Sequence, residues 1–279
     1  MKLTTEQIKG RIKSIARSKG LDARVLLRIY MMERFLERVT LSIYRDNFII
    51  KGGMLITSMV GVTLRSTMDI DTTVKNQQLS KEHVIDMINE IISVEVDDNI
   101  DFVVKATSEI MSDMEYPGVR LYLEARIAKM VVPIKIDVST GDVIIPAAIK
   151  YKYKLLLEER TINLWAYSLE TILAEKLQTI LVRCLLNTRI RDFYDIRTLL
   201  LLYGDEIDND IFKKAFDATC LKRNTLKLKE NGCLIVEKIC EDRNMRSLWD
   251  KYTNKYDYSE NISYDEVIES LFELLDRLK

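Results

Sequence analysis

Histidine is almost missing from this chain: His83 is the only one. That excludes a His-rich zinc centre and leaves little room for a histidine base. Cysteine is sparse too. Cys184, Cys220, Cys233 and Cys240 are scattered with no CxxC pair, which points to reduced, mostly buried thiols rather than a disulfide framework or thiolate metal site. Proline occurs three times, at Pro117, Pro133 and Pro146, so the flanking helical regions run without a built-in break. No apolar run reaches the roughly 20 residues needed to span a bilayer. The opening MKLTTEQIKGRIKS also lacks a signal peptide's continuous apolar segment, so a cytoplasmic protein with no membrane partner is expected. A net charge of −1 gives no global pull on nucleic acid, and local basic patches would have to hold any such partner. Chemistry here falls to carboxylates, lysines and a hard metal ion.

What is present is ample for a core: 279 residues, 47% apolar and 30% charged, enough for one large domain or two ordinary ones. No repeat or low-complexity segment interrupts them. Residues 1–46 read as helices packed on the core. Thr4 and Gln7 form a capping box, Ile8, Ile12 and Ile15 share a face, Gly20 ends the segment, and Asp22 caps a second helix. From Asn47 the pattern becomes mixed. NFIIK, MDIDTTV, FVVKAT, VRLYLEARI and VVPIKIDVS have strand character, while SKEHVIDMINEIIS has helical spacing. After Trp165 the strand signal fades into helices opening at Ser168, at RDFYDIRTLLLLY and at the Ser263–Glu266 capping box. The expected class is α+β, with a mixed core over 47–165 and a helical C-terminal domain over 166–279.

The stretch KGGMLITSMVGVTLRSTMDID, residues 51–71, concentrates the chemistry. Alternate residues of a strand share a face, so Asp69 and Asp71 project together. They are either an ordinary exposed acid pair or oxygen ligands for Mg²⁺, which takes one or two carboxylates plus substrate phosphates. Gly52 and Gly53 let the backbone turn tightly, and MLITSMV after them reads as a short helix whose first N–H groups can seat phosphate. There is no GxxxxGK, so this is not a Walker A loop. Asp137, on the polar face of PIKIDVS, either completes a metal site or pairs with a neighbour. Arg65, with Ser66 beside it, is placed to grip a triphosphate.

FIIKGG followed by LRSTMDID resembles the first motif of the nucleotidyltransferase superfamily. More narrowly, the chain is similar to the AbiEii nucleotidyltransferase toxins of type IV abortive-infection toxin–antitoxin systems. The matching positions are Gly52-Gly53, Asp69 to Asp71, Lys135 to Val138, Ala174 to Leu177 and Arg191 to Asp195, in that order. The family often has serine where Gly53 stands, so backbone amides would have to seat the phosphate alone. The resemblance implies a nucleotidyltransferase-type mixed sheet with flanking helices, Mg²⁺ as cofactor, and a nucleoside triphosphate as substrate, with GTP or CTP favoured. It further implies a bacterial toxin that modifies RNA, above all tRNA, in phage defence, opposed by a separately encoded antitoxin. Transfer to a protein hydroxyl and a non-catalytic binding module remain the alternatives.

Lys176 falls inside the apolar arc of Leu169, Ile172, Leu173, Leu177 and Ile180. Asp192 falls within the arc of the next helix, and Asp195 at its border. Lys176 and Asp192 are either a buried ion pair or members of the catalytic site, and the resemblance favours catalysis for them and for Asp195. Arg189, Arg191 and the alternating Lys150, Lys152 and Lys154 are candidate contacts for a nucleic-acid backbone, against the plainer reading of a solvated face.

Overall fold

The computed structural model describes residues 3–75, 80–110 and 118–279; Pro117 lies outside the described residues. The chain divides into two compact units, Met1–Asp142 with Ile149–Ala166, and Val143–Ala148 with Tyr167–Lys279.

In the first unit, α1 (Thr5–Lys19) starts at the Thr4–Gln7 capping box and stops at Gly20, where φ is +66°. The Asp22 side chain caps α2 (Ala23–Leu41), accepting from Arg24 N at 2.7 Å. Next come β1 (Phe48–Lys51), α3 (Gly52–Val60), β2 (Asp69–Val74), α4 (Lys81–Ser93), β3 (Asp101–Ile110), β4 (Gly118–Ile127), β5 (Met130–Thr140), β6 (Ile149–Lys154) and β7 (Thr161–Ala166). The strands form one sheet in the order β3-β4-β5-β2-β1-β7-β6. It is mixed: β1 runs antiparallel to β2 and parallel to β7, and β2 runs parallel to β5. Strands β6 and β7 were not expected from the sequence, where IKYKYK and TINLWA lack a continuous apolar signal. Each buries only alternate residues, Tyr153 in β6 and Ile162, Leu164 and Ala166 in β7.

The period-2 pattern sorts the faces. Ile70, Ile134, Ile136, Val138, Leu121 and Leu123 are buried on one side, where α2 meets the sheet and Phe35 packs 6.0 Å from Phe48 and 6.1 Å from Phe102. The other side carries the polar partners of these strands. The α2 helix also brings a carboxylate inside: Glu33 is 1% exposed, with both oxygens accepting from Leu156 N at 3.0 Å and Oε1 accepting from Tyr153 at 3.3 Å. Burial pushes its pKa up to about 8 against those hydrogen bonds and Arg34.

The second unit contains α5 (Leu169–Arg183), α6 (Ile190–Tyr203), α7 (Asn209–Lys222), α8 (Leu228–Glu241), α9 (Arg243–Thr253) and α10 (Tyr264–Asp276). Ser168 caps α5, and the Ser263–Glu266 capping box opens α10. Segment 143–148, which the sequence places in the core, clusters with these helices. Ile145 O accepts from Thr171 Oγ1 at 3.0 Å and from Ser168 Oγ at 3.3 Å. No helix among the described residues is long and apolar enough to cross a membrane.

Candidate active site

The turn between β1 and α3 is built around one carboxylate. Gly52 has φ +57°, and a Cβ there would overlap the Asp71 side chain. Gly53 N–H donates to Asp71 Oδ2 at 3.0 Å. The amide that the sequence offers to phosphate is therefore engaged by Asp71. A Cβ at Gly53 would stand 2.5 Å from Thr67 Oγ1 and 3.0 Å from Arg65 Nη1, so buried neighbours occupy the room a serine would need. Arg65, expected to grip the triphosphate, instead braces this turn. It is 4% exposed, and Nη1 donates to Gly53 O at 2.9 Å and Thr57 Oγ1 at 3.2 Å. Ser66 is half-buried beside it.

Strand register then assembles a row of charges. Asp71 lies opposite Lys51 on one side and Asp137 on the other, and Asp137 lies opposite Arg120. Two residues along, on the same face, Asp69 lies opposite Lys135, whose Nζ is 2.8 Å from Asp69 Oδ2. Arg120 holds Asp137 with two bonds of 2.8 and 2.7 Å, so the acid pairs with a neighbour. Lys51 Nζ is 2.5 Å from Asp142 Oδ2, which also accepts from Ser139 Oγ at 2.7 Å.

Burial pushes the Asp71 carboxyl above its ordinary value. The charges of Asp137 and Asp69 add to the shift, while Gly53 N–H and Lys51 work against it. Among the described residues no three acids, cysteines or histidines converge as a ready-made metal group. The pair Asp69 and Asp71 is what the strand face offers. Sequence reasoning missed Lys51, Arg120, Asp142 and Ser139, and it named Lys135 only as part of a motif, without its partner Asp69. Lys51 directly precedes the glycine pair, and Lys135 and Arg120 occupy polar positions of alternating strands, a signal that was readable but had no partner attached.

In the second unit, Lys176 of α5 reaches two acids of α6: Nζ is 2.5 Å from Asp192 Oδ1 and 2.8 Å from Asp195 Oδ2. The Lys176 and Asp192 side chains are each 13% exposed and Asp195 is fully buried. The sequence put Asp195 at the border of the arc, yet it is the deeper of the two. Residues three apart on a helix lie on adjoining positions of one face, and both acids turn toward the lysine. Next to Asp192, the Arg191 guanidinium lies over the Tyr256 ring, 5.1 Å from its centroid.

A family model described as "Nucleotidyl transferase AbiEii toxin, Type IV TA system" matches residues 34–270. No curated protein matches the chain. Among solved structures, JHP933 from Helicobacter pylori is similar with a TM-score of 0.47 at 14% identity, covering 92% of this chain and 94% of that one. An antigenic nucleotidyltransferase-like protein from Paracoccidioides brasiliensis gives a TM-score of 0.39 at 14% identity, covering 84% and 94%.

Proposed function

The chain belongs to the AbiEii family of nucleotidyl transferase toxins of type IV toxin–antitoxin systems, and from that premise we propose that it transfers a nucleotide from a nucleoside triphosphate to an RNA hydroxyl. It is a nucleotidyltransferase by family, with a nucleotide substrate and a separate antitoxin. The RNA acceptor, above all tRNA, the Mg²⁺ dependence, the cytoplasmic setting and the role in phage defence are the proposal. GTP or CTP is the favoured donor.

The observation that carries the reading is Asp71, crowded by Asp69 and Asp137 and fixed by the Gly53 amide. Mg²⁺ fits this site by its donors: Asp69 and Asp71 present carboxylate oxygens from one strand face, and the Asp71 carboxyl is raised by burial and, beyond that, by the charges of Asp137 and Asp69. Asp69 and Asp71 would hold it. When bound, the ion supplies charge stabilisation to the phosphates. The turn at Gly52-Gly53, braced by Arg65, keeps Asp71 in place, and Lys51 and Lys135 set cations beside the two acids. In the transfer, the acceptor oxygen forms a bond to the α-phosphorus, the α–β anhydride bond breaks, and pyrophosphate leaves. The hydroxyl proton passes to a carboxylate of the row, Asp137 standing at the register of Asp71. Lys176, with Asp192 and Asp195, is read as a catalytic cluster on the resemblance alone.

The test is transfer of labelled nucleotide, donor by donor, onto total RNA and total protein, with Asp71→Asn as control. Label in RNA that disappears with a chelator and with the variant is expected, together with growth arrest by the wild type alone. Label in protein would replace the acceptor. Label in neither, with no Mg²⁺-dependent thermal shift by triphosphate, would leave a binding module.

A further inference from the structure

We infer that the lysine ridge of β6 is the track along which single-stranded RNA backbone is led to Asp69 and Asp71, an inference that rests on the proposed RNA acceptor. Strand β6 is the edge of the sheet, and its sequence IKYKYK alternates strictly. Tyr153 is 2% exposed and the Tyr151 hydroxyl accepts from Ser58 Oγ at 2.8 Å, so the two tyrosines pin the strand's inner face. Lys150, Lys152 and Lys154 are thereby fixed on the outer face, and all three are exposed.

That outer face is the face of the active-site row. Lys150 lies opposite Trp165, Trp165 opposite Ile49, and Ile49 shares its side of β1 with Lys51, the partner of Asp71. Three strand spacings separate β6 from β2, roughly 15 Å. The lysines repeat every second residue, about 6.6 Å apart, a spacing comparable with that of successive phosphates in an extended single strand. Lys150 Nζ sits 5.7 Å from the Trp165 ring centroid, which places a half-buried indole beside the ridge as a surface on which a base can stack.

Neutralisation along the ridge is slight. Lys154 approaches Glu159 only to 3.9 Å, with Glu159 97% exposed, and Asp46, which accepts from Trp165 Nε1 at 3.1 Å, is the acid that sets charge against Lys150. Lys152 makes no ion pair among the described residues. A chain of net charge −1 can hold RNA only through such a local concentration of cations. Lysines on an edge strand also prevent pairing with another strand, and that role alone requires no RNA.

The experiment compares the wild type with Lys150→Gln/Lys152→Gln/Lys154→Gln in binding a labelled oligouridylate over a series of salt concentrations. Thermal shift with triphosphate and transfer onto bulk tRNA are measured alongside. The expected result is a salt dependence shallower by about 2 in log–log slope, at roughly 0.7 per lost phosphate contact. The triphosphate shift should be unchanged, and Lys150→Arg/Lys152→Arg/Lys154→Arg should keep the wild-type slope. If the triple glutamine variant does not fold, each single substitution should lower the slope by about 0.7. A wild type that transfers to tRNA beside a variant with unaltered slope overturns the ridge and leaves the RNA acceptor standing. Aggregation of the variant with unaltered affinity assigns the lysines to edge protection alone and likewise overturns it. A wild type that neither binds nor labels RNA removes the acceptor, and the ridge falls with it.

Discussion

A side-chain carbon on Gly52 would occupy the space that holds the Asp71 carboxylate. The glycine turn and the acid strand are thus one device, although 18 residues separate Gly53 from Asp71. Gly52→Ala should displace Asp71 and also strain a backbone at φ +57°. Transfer is expected to fall by about 10²-fold, the effect of a misplacement near 1 Å. Stability should drop by about 1–2 kcal/mol. Activity within a few-fold of wild type, in a protein shown to be folded by circular dichroism, would contradict this coupling.

Asp71→Asn tests the charge itself. The folded carboxyl is raised above 3.8, so the native state keeps a proton that the unfolded state has released. Stability therefore declines as pH rises from about 3.8 through the folded value, and the ionised carboxylate costs stability above both. Asparagine still accepts from Gly53 N–H without the charge. In chelator at pH 7 the variant should melt at or above the wild type, with the difference closing toward pH 3.8, and it should not transfer. A clearly lower melting temperature at pH 7 would count against the crowded-acid description.

Glu33 gives the pH dependence of the fold rather than of the site. Its folded value is about 8 against 4.5 unfolded, so its contribution is fully present below 4.5 and is lost as pH rises through 8. Glu33→Gln keeps an acceptor for Leu156 N–H and removes the titration. Melting temperatures from pH 5 to 9 should fall less steeply for the variant than for the wild type. Parallel curves would show that Glu33 does not govern the slope.

For the lysine–acid cluster, the asymmetry of the three charges sets the outcome. Lys176→Met removes the cation that Asp192 and Asp195 share and should cost about 3–5 kcal/mol. Asp192→Asn leaves the Lys176–Asp195 pair at 2.8 Å intact and should cost only about 1 kcal/mol while abolishing transfer. Replacing Lys176 and Asp192 alone by apolar residues would still leave Asp195 charged, so a fully neutral cluster also needs Asp195→Asn. Denaturant melts and transfer assays on the variants decide the matter. An active Asp192→Asn enzyme would make the cluster scaffold.

The sequence alone settles what depends on near neighbours. The alternation in MDIDTTV places Asp69 and Asp71 on one face, the capping boxes at Thr4 and Ser263 open their helices, and the glycine pair turns β1 into α3. It also points Lys176 and Asp192 inward, because helical periodicity needs only a few turns of chain. Which charges meet is decided by the sheet. Asp137 comes to Asp71 through the parallel register of β2 and β5, Arg120 takes Asp137 through β4, and Lys135 takes Asp69. Periodicity assigns a side chain to a face, but the strand beside it and the register between them come from pairing across long separations. For the same reason Arg65 reads as a phosphate ligand in the sequence and stands in the fold as a brace on Gly53, since burial is a property of the packed unit and not of the segment.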